Sequence, residues 1–198
     1  MTDRKLVAVV EDELSGNICS RILLDYAPDV TIDRMIIARG FGNIKSKVHV
    51  YERASRFVRH LVLTDLDNHH CAPKLRESWA IQANTSMIFR VAVREVEAWV
   101  MADRDGFSDF FGVPCGKIPN QIELDPDPKA RLISLVRKSK ASSSRGIAPE
   151  PGAKAKVGPM YNHRLGEFVT GSWSPQNAMA RAPSLERMVL RLTQFASV

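Results

Sequence analysis

The stretch LVAVVEDELSG (6–16) joins an apolar run to three consecutive acids, Glu11, Asp12 and Glu13. The run KLVAVV (5–10) is short and rich in β-branched residues, which predicts a buried parallel strand. Acids that directly follow a buried strand cost stability unless a positive group lies among them. The stretch therefore predicts a core strand whose carboxyl end faces a cation.

Similar patterns recur along the first half of the chain. Apolar runs predict further strands over 30–40, 60–67 and 86–93, and amphipathic patterns predict helices over 14–26, 42–58, 72–81 and 94–111. Strands that alternate with helices are typical of the α/β class, with a mostly parallel sheet flanked by helices. Ligand sites in such sheets gather at the carboxyl ends of the strands.

Acids recur where these strands end. They follow the first strand, end the third in LTDLDN and follow the fourth in VREVEAW, and they are Glu11, Asp65, Asp67, Glu95 and Glu97. Carboxylate oxygens are the ligands that Mg²⁺ prefers, and Mn²⁺ accepts the same donors. The pattern predicts a divalent-metal site at this edge of the sheet.

The Asp-x-Asp pair carries the strongest part of that prediction. On an extended strand, Asp65 and Asp67 point to the same side and Leu66 points into the core, because the side-chain period is two. Two carboxylates so placed repel each other without a cation. For Asp12 and Glu13 a purely structural role is the alternative, since acids often cap the helix that follows.

Composition limits the classes of protein to consider. The chain has 198 residues, 44% of them hydrophobic, with a net charge of +6, which is compatible with an anionic partner. Its three scattered cysteines form no CxxC pair or disulfide framework. No apolar run approaches the ~20 residues of a membrane span, and the N-terminus does not resemble a signal peptide. We therefore expect a cytoplasmic protein with no membrane partner.

The composition of the sequence changes beyond Pro114, where prolines become frequent. Between Lys129 and Arg164 there are nine Lys or Arg residues and one acid, Glu150. A final helix is predicted over 183–196, with an apolar stripe and a serine as its N-cap. We predict a metal-binding domain over 1–113 and a basic, loop-rich extension over 114–198 that packs on it.

The segment AKAKVGPMYNHR (153–164) is the candidate nucleic-acid contact. It combines basic and aromatic groups around a Gly-Pro turn, and its candidate binding residues are Lys154, Lys156, Tyr161 and Arg164. Tyr161 would stack on a base, and Lys156 would neutralise a phosphate at the catalytic acids. The alternative is a solvated basic loop that docks back on the sheet through Val157, Met160 and Tyr161.

A receiver domain of a phospho-relay regulator also begins with acids after its first strand. This chain lacks the later receiver features: NHHCAP follows Asp67 in place of a Met-Pro turn, and the fourth strand ends in Arg and Glu. No Lys-Pro follows at the position of a fifth strand. We therefore disfavour the receiver interpretation.

The chain resembles a family of small bacterial TOPRIM-like proteins whose biochemical function is unassigned. The motifs that carry the resemblance cover nearly the whole chain and are VVEDE, LTDLDN, VAVREVEAWVMAD, DPKARLISLVR, AKVGPMYNHRLGEFV and APSLERMVLRL. That family is similar to the nuclease domain of OLD-type proteins. In one respect the sequence departs from the pattern, since Asp12 stands where TOPRIM domains usually have glycine.

The resemblance implies Mg²⁺- or Mn²⁺-dependent hydrolysis of nucleic-acid phosphodiesters, on DNA in preference to RNA. It implies the five acids named above as metal ligands. We expect Glu11, Asp65 and Asp67, together with Lys156 as the phosphate-neutralising group, to be the catalytic residues. Because such proteins are often encoded beside ATPases in defence loci, it also implies an ABC-type ATPase partner and a role in phage defence. Two further expectations stay open, a homo-oligomer and a TOPRIM-like subunit that binds nucleic acid or an ATPase without turnover.

Overall fold

The computed structural model describes residues 4–82 and 85–197, and its described residues form one four-stranded sheet. The strands are β1 (Arg4–Val10), β2 (Val30–Ile37), β3 (Arg59–Asp65) and β4 (Ile88–Ala92). Their order is β2-β1-β3-β4, and every neighbouring pair is parallel. The predicted α/β class is confirmed, with helices flanking a sheet that is parallel throughout.

Nine α-helices are present in the described residues. They are α1 (Glu13–Tyr26), α2 (Phe41–Ala54), α3 (Ala72–Ser78), α4 (Val96–Ala102), α5 (Arg104–Phe111), α6 (Pro128–Arg137), α7 (Tyr161–Gly171), α8 (Pro175–Met179) and α9 (Pro183–Ser197). The single helix predicted over 94–111 is wrong, because Asp103 separates α4 from α5 and caps α5 by accepting a hydrogen bond from the Gly106 amide. The region after Pro114 contains four helices, so it is less loop-rich than predicted.

The chain divides into two compact units. The first unit comprises the chain up to Val93 together with the part from Glu186 onwards, and the second comprises Arg94–Leu185. This division differs from the predicted boundary at residues 113 and 114. Its cause lies in α4 and α5, whose large side chains pack among later elements of the second unit.

The core of the first unit includes a cluster between α2, α3 and the sheet. Buried residues from strands and helices contribute to it, among them Val9, Ile44, Val48, Val62, Leu75, Trp79 and Phe89. Leu66 belongs to this cluster and is 2% exposed, which confirms the prediction that it points inward.

The core of the second unit is aromatic. Trp99 of α4 is fully buried, and its carbonyl oxygen accepts a hydrogen bond from the Trp173 indole (3.2 Å). Phe107 and Phe111 of α5 pack on Phe168 of α7. The indole of Trp99 donates to the Ser184 hydroxyl, 2.7 Å away. Ser184 therefore lies inside α9 and serves this core, whereas the sequence predicts it as an N-cap.

Among the helices of residues 4–82 and 85–197, none combines the length and the apolar character that a membrane span requires.

Asp12 begins α1. Its backbone is extended, and its carboxylate accepts hydrogen bonds from both the amide and the hydroxyl of Ser15, each 2.8 Å long. This is the geometry of an N-cap, which satisfies one of the amide groups left open at a helix start. The structural alternative for Asp12 is therefore confirmed.

Loss of this cap should lower stability. We expect Asp12→Ala to reduce the free energy of unfolding by about 1 kcal/mol, and Asp12→Gly to reduce it by only a few tenths. Asp12→Ser is the control, because it removes the charge but keeps a capping oxygen. Urea unfolding followed by circular dichroism measures the differences, and equal stability of the Ala and Ser variants would contradict the capping role.

Candidate functional site

Glu11 stands at the carboxyl end of β1, beside the end of β3. The two strands are paired in parallel register, with Val9 opposite Val62, so their ends lie side by side. One carboxylate oxygen of Glu11, Oε1, accepts a hydrogen bond from the Thr64 hydroxyl (2.6 Å) and another from the Asp65 amide (2.9 Å). The Glu11 side chain is therefore held by β3 through two neutral donors.

The surroundings of Glu11 disfavour its negative charge. Burial raises the pKa of the Glu11 carboxyl above its ordinary value of 4.5, although the hydrogen bonds from Thr64 and Asp65 act in the opposite direction. The nearby carboxylates of Asp67 and Asp12 raise this pKa further. A cation among these acids would reverse the effect, because opposite charge favours the ionised form.

The backbone of Glu11 is also fixed. Its carbonyl oxygen accepts hydrogen bonds from the amides of Arg39 (2.9 Å) and Gly40 (3.2 Å), which follow β2. Both residues have positive φ, 59° at Arg39 and 115° at Gly40. The turn after β2 therefore adopts a left-handed conformation that is costly for a non-glycine residue, and it holds the end of β1.

Asp65 and Asp67 both lie near this edge, but not in the predicted way. β3 ends at Asp65, which is 7% exposed, and Asp67 lies beyond it in a turn with φ of 47°. The argument that a strand period of two aligns the two carboxylates is therefore wrong for this pair. Asp67 instead reaches the surroundings of Glu11 from a left-handed turn, and such outliers often occur at functional sites.

Glu97 lies in the second unit and is fully buried. Its Oε1 accepts a hydrogen bond from the Tyr161 hydroxyl of α7 and forms an ion pair with Lys129 Nζ of α6, 3.2 Å away. Its other oxygen, Oε2, receives no hydrogen bond within the described residues. A buried carboxylate oxygen without a donor calls for an ordered water or an ion.

Glu95 shares the same lysine. Lys129 Nζ lies 3.8 Å from Glu95 Oε1, and the Lys129 amide donates to Glu95 Oε2 over 2.9 Å. Burial raises the pKa of Glu95, and Glu97 and Asp127 raise it further, while Lys129 lowers it. The two glutamates and the lysine therefore form one ionic cluster around the buried Glu97, in which Lys129 is paired with both acids.

Lys129 is the residue that the sequence did not single out. It stands in DPKARL as one of nine basic residues, and nothing in that pattern distinguishes it from the others. The proline that starts α6 and the Asp127 N-cap fix the helix start, and so the place where Lys129 enters the cluster. The Asp-Pro-Lys sequence, with an N-capping residue before a proline, is a local signal that could have indicated this helix start.

The predicted nucleic-acid segment divides in two. Lys154 and Lys156 are exposed, in a turn before α7. Tyr161 is 4% exposed and donates a hydrogen bond to Glu97, so it is not available to stack on a base in this conformation. Tyr161 is docked, as in the alternative, but its hydrogen-bond partner belongs to α4 and not to the sheet. Arg164 pairs with Glu167 one turn later on α7, at 2.8 Å.

The donor set of the first unit fits a hard divalent cation. In residues 4–82 and 85–197, no three His, Cys, Asp or Glu side chains are grouped closely enough to hold a metal ion by themselves. Mg²⁺ does not require such a group, since it usually keeps several waters and binds through one or two carboxylates plus phosphate oxygens. Glu11, with its raised pKa and two acidic neighbours, offers the hard oxygen and the excess negative charge that such an ion needs.

The raised pKa of Glu11 predicts a pH-dependent stability. Below the ordinary value of 4.5 the Glu11 carboxyl is protonated in the folded and unfolded states, and its contribution to the free energy of unfolding is fully present. That contribution is lost as the pH rises through the raised pKa of the folded state. In the presence of a chelator, Glu11→Gln should therefore melt at a higher temperature than the wild type near about pH 8, and at a similar temperature near about pH 4.

Glutamine keeps an acceptor for Thr64 and Asp65, so this variant isolates the charge. Glu13→Gln is the matched control, since Glu13 is exposed in the first turn of α1. A Glu11→Gln variant that melts at a lower temperature than the wild type at both pH values would show that the ionised Glu11 carboxylate does not destabilise the fold.

The ionic cluster of the second unit predicts a large coupling. Lys129→Met should lower the free energy of unfolding by roughly 3 kcal/mol, because it leaves Glu97 buried without its cation. Adding Glu97→Gln should restore about 1 kcal/mol or more. Lys138→Met, at an exposed lysine after α6, serves as the control. Chemical unfolding of the wild type, Lys129→Met, Glu97→Gln and the double variant measures this double-mutant cycle. Additive losses of stability in the two single variants would contradict the ion pair.

No family model, curated protein or solved structure matches this chain.

Proposed function

We propose that the chain is a Mg²⁺- or Mn²⁺-dependent nuclease-type hydrolase of nucleic-acid phosphodiesters. Its proposed metal ligands in the first unit are Glu11, Asp65 and Asp67. One observation carries the proposal: a half-buried glutamate at the carboxyl edge of a parallel sheet, with a raised pKa and further acids as neighbours. Ligand sites of α/β sheets occur at that edge.

The bound ion would supply Lewis-acid stabilisation of phosphate oxygens and lower the pKa of a water molecule. The protein residues contribute orientation. Thr64 and the Asp65 amide hold one oxygen of Glu11, and the turn after β2 fixes the Glu11 backbone. Asp67 adds negative charge from a turn whose left-handed backbone keeps it near Glu11.

Asp12 bears on whether turnover is retained. TOPRIM-type sites usually have glycine at this place, where the backbone can approach a phosphate closely. Here the side chain turns back to cap α1 through Ser15. The capping role supplies a structural reason for the aspartate at this place.

A non-catalytic TOPRIM-like subunit that binds nucleic acid or an ATPase is the second candidate. The Glu95–Glu97–Lys129 cluster favours it in part, because the lysine already compensates these two acids. Their role as metal ligands, the phosphate role of Lys156, the ABC-type ATPase partner, the defence role and a homo-oligomer remain proposals from the resemblance.

Cleavage assays distinguish the two candidates. Supercoiled plasmid and labelled single strands should be cut in Mg²⁺ or Mn²⁺, and Asp65→Asn and Glu11→Gln should each lower the rate by about 100-fold or more. Asp109→Asn, at an exposed acid of α5, should leave the rate unchanged. Equal traces of cutting by wild type and both site variants would exclude the hydrolase and favour the non-catalytic subunit.

A further inference from the structure

The first unit carries a cluster of arginines away from the strand ends discussed above. Arg90 lies on β4, an edge strand of the sheet, and is half-buried. Arg187 and Arg191 lie on α9, four residues apart and both exposed, so they share one helix face. Arg76 of α3 is the fourth member.

Contacts at the end of α9 place this helix along the sheet. Phe195, one turn after Arg191, lies under the guanidinium of Arg59 at 5.3 Å, and its carbonyl oxygen accepts a hydrogen bond from Arg4 at 3.5 Å. Arg59 also donates to the Ser86 carbonyl oxygen just before β4, over 2.6 Å. The end of α9 therefore lies against the sheet, where Phe195 contacts Arg59 of β3 and Arg4 of β1.

The electrostatics of Arg90 agree with this placement. Burial lowers its pKa, and the positive charges of Arg187, Arg191 and Arg76 lower it further. Within residues 4–82 and 85–197, no ion pair joins Arg90, Arg187 or Arg191 to a carboxylate. Glu186, which adjoins Arg187 in sequence, is exposed.

Like charges on one helix face, with another cation behind them, oppose folding unless an anion binds there. Guanidinium groups present a planar fork that matches phosphate oxygens in pairs. Arg187 and Arg191 are separated by one helical turn, about 6 Å along the axis. An extended row of this kind fits a chain of phosphates better than it fits one isolated phosphate.

We propose that Arg90, Arg187 and Arg191 form a binding surface for the phosphodiester backbone of a nucleic acid. The inference deepens the proposed function and rests on it for the identity of the polyanion, since it assigns the surface that holds the substrate strand. It also moves the main contact from the segment 153–164, where the sequence predicts it, to β4 and α9. Leu190, 55% exposed, lies on α9 just before Arg191, where it would contact a sugar or a base.

The test measures binding with no metal present. A fluorescein-labelled single strand of about 20 nucleotides is titrated with the full chain in a chelator, and anisotropy is recorded at several salt concentrations. Each phosphate contact in a single strand adds about 0.7 to the slope of log affinity against log salt. Arg187→Gln with Arg191→Gln should therefore lower the slope by about 1.4 and the affinity at about 0.1 M salt by about 25-fold.

Lys45→Gln with Lys47→Gln is the charge-matched control, since both lysines are exposed on α2 of the same unit. The control should keep the wild-type slope. Equal slopes for the arginine variant and the wild type, or equal losses in the two double variants, would overturn the proposal. Preferential binding to phosphatidylserine vesicles over the oligonucleotide would overturn it as well.

Thermal unfolding separates binding from stability. Removal of two like charges should leave the melting temperature unchanged or raise it, while a structural role for the arginines would lower it and would count against the proposal. Because no metal is present, this result is independent of hydrolysis. If the oligonucleotide binds and its binding depends on the arginines, but no preparation cleaves nucleic acid, the hydrolase proposal is refuted and the binding surface is retained.

Discussion

The hydrogen bonds from β3 to Glu11 are the constraint on which the candidate site depends. They join the ends of two neighbouring parallel strands through a carboxylate that burial makes unfavourable. A neutral side chain would tie the strands at lower cost, since glutamine accepts the same bonds. The chain therefore keeps an ionisable carboxyl where the fold needs only a hydrogen-bond acceptor, and ionisable groups retained at a cost to stability are typical of functional sites.

Comparison with Glu97 makes this point stronger. Glu97 is more deeply buried, yet its charge is compensated by Lys129 and by the hydroxyl of Tyr161. At Glu97 the chain brings a lysine to a buried glutamate. Among the described residues, Glu11 accepts hydrogen bonds from neutral donors, has acidic neighbours and forms no ion pair with a lysine or arginine. Under the proposed function, a divalent cation would supply the missing positive charge.

The sequence predicts the strands and the acids at their ends well, because both follow from local patterns. It fails at Asp67, since a left-handed turn is not visible in an Asp-x-Asp pair, and at Asp103, whose capping bond divides a helix that periodicity joins. Lys129 and Tyr161 could not be assigned either. Their roles come from tertiary contacts with Glu97, 32 and 64 residues away, and no local pattern encodes such contacts.

Two sets of like charges in the first unit share one property, which is that each contains a charge without an ion-pair partner among the described residues. The acids around Glu11 and the arginines on β4 and α9 each repel one another, and among the described residues neither Glu11 nor Arg90, Arg187 or Arg191 has an opposite charge paired with it. Both sets of repulsions oppose folding, and the two proposals give each set a compensating ligand. In those proposals the phosphates of a phosphodiester chain would pair with the arginines, and a divalent cation would pair with the carboxylates. A purely structural subunit would leave both sets without such a ligand.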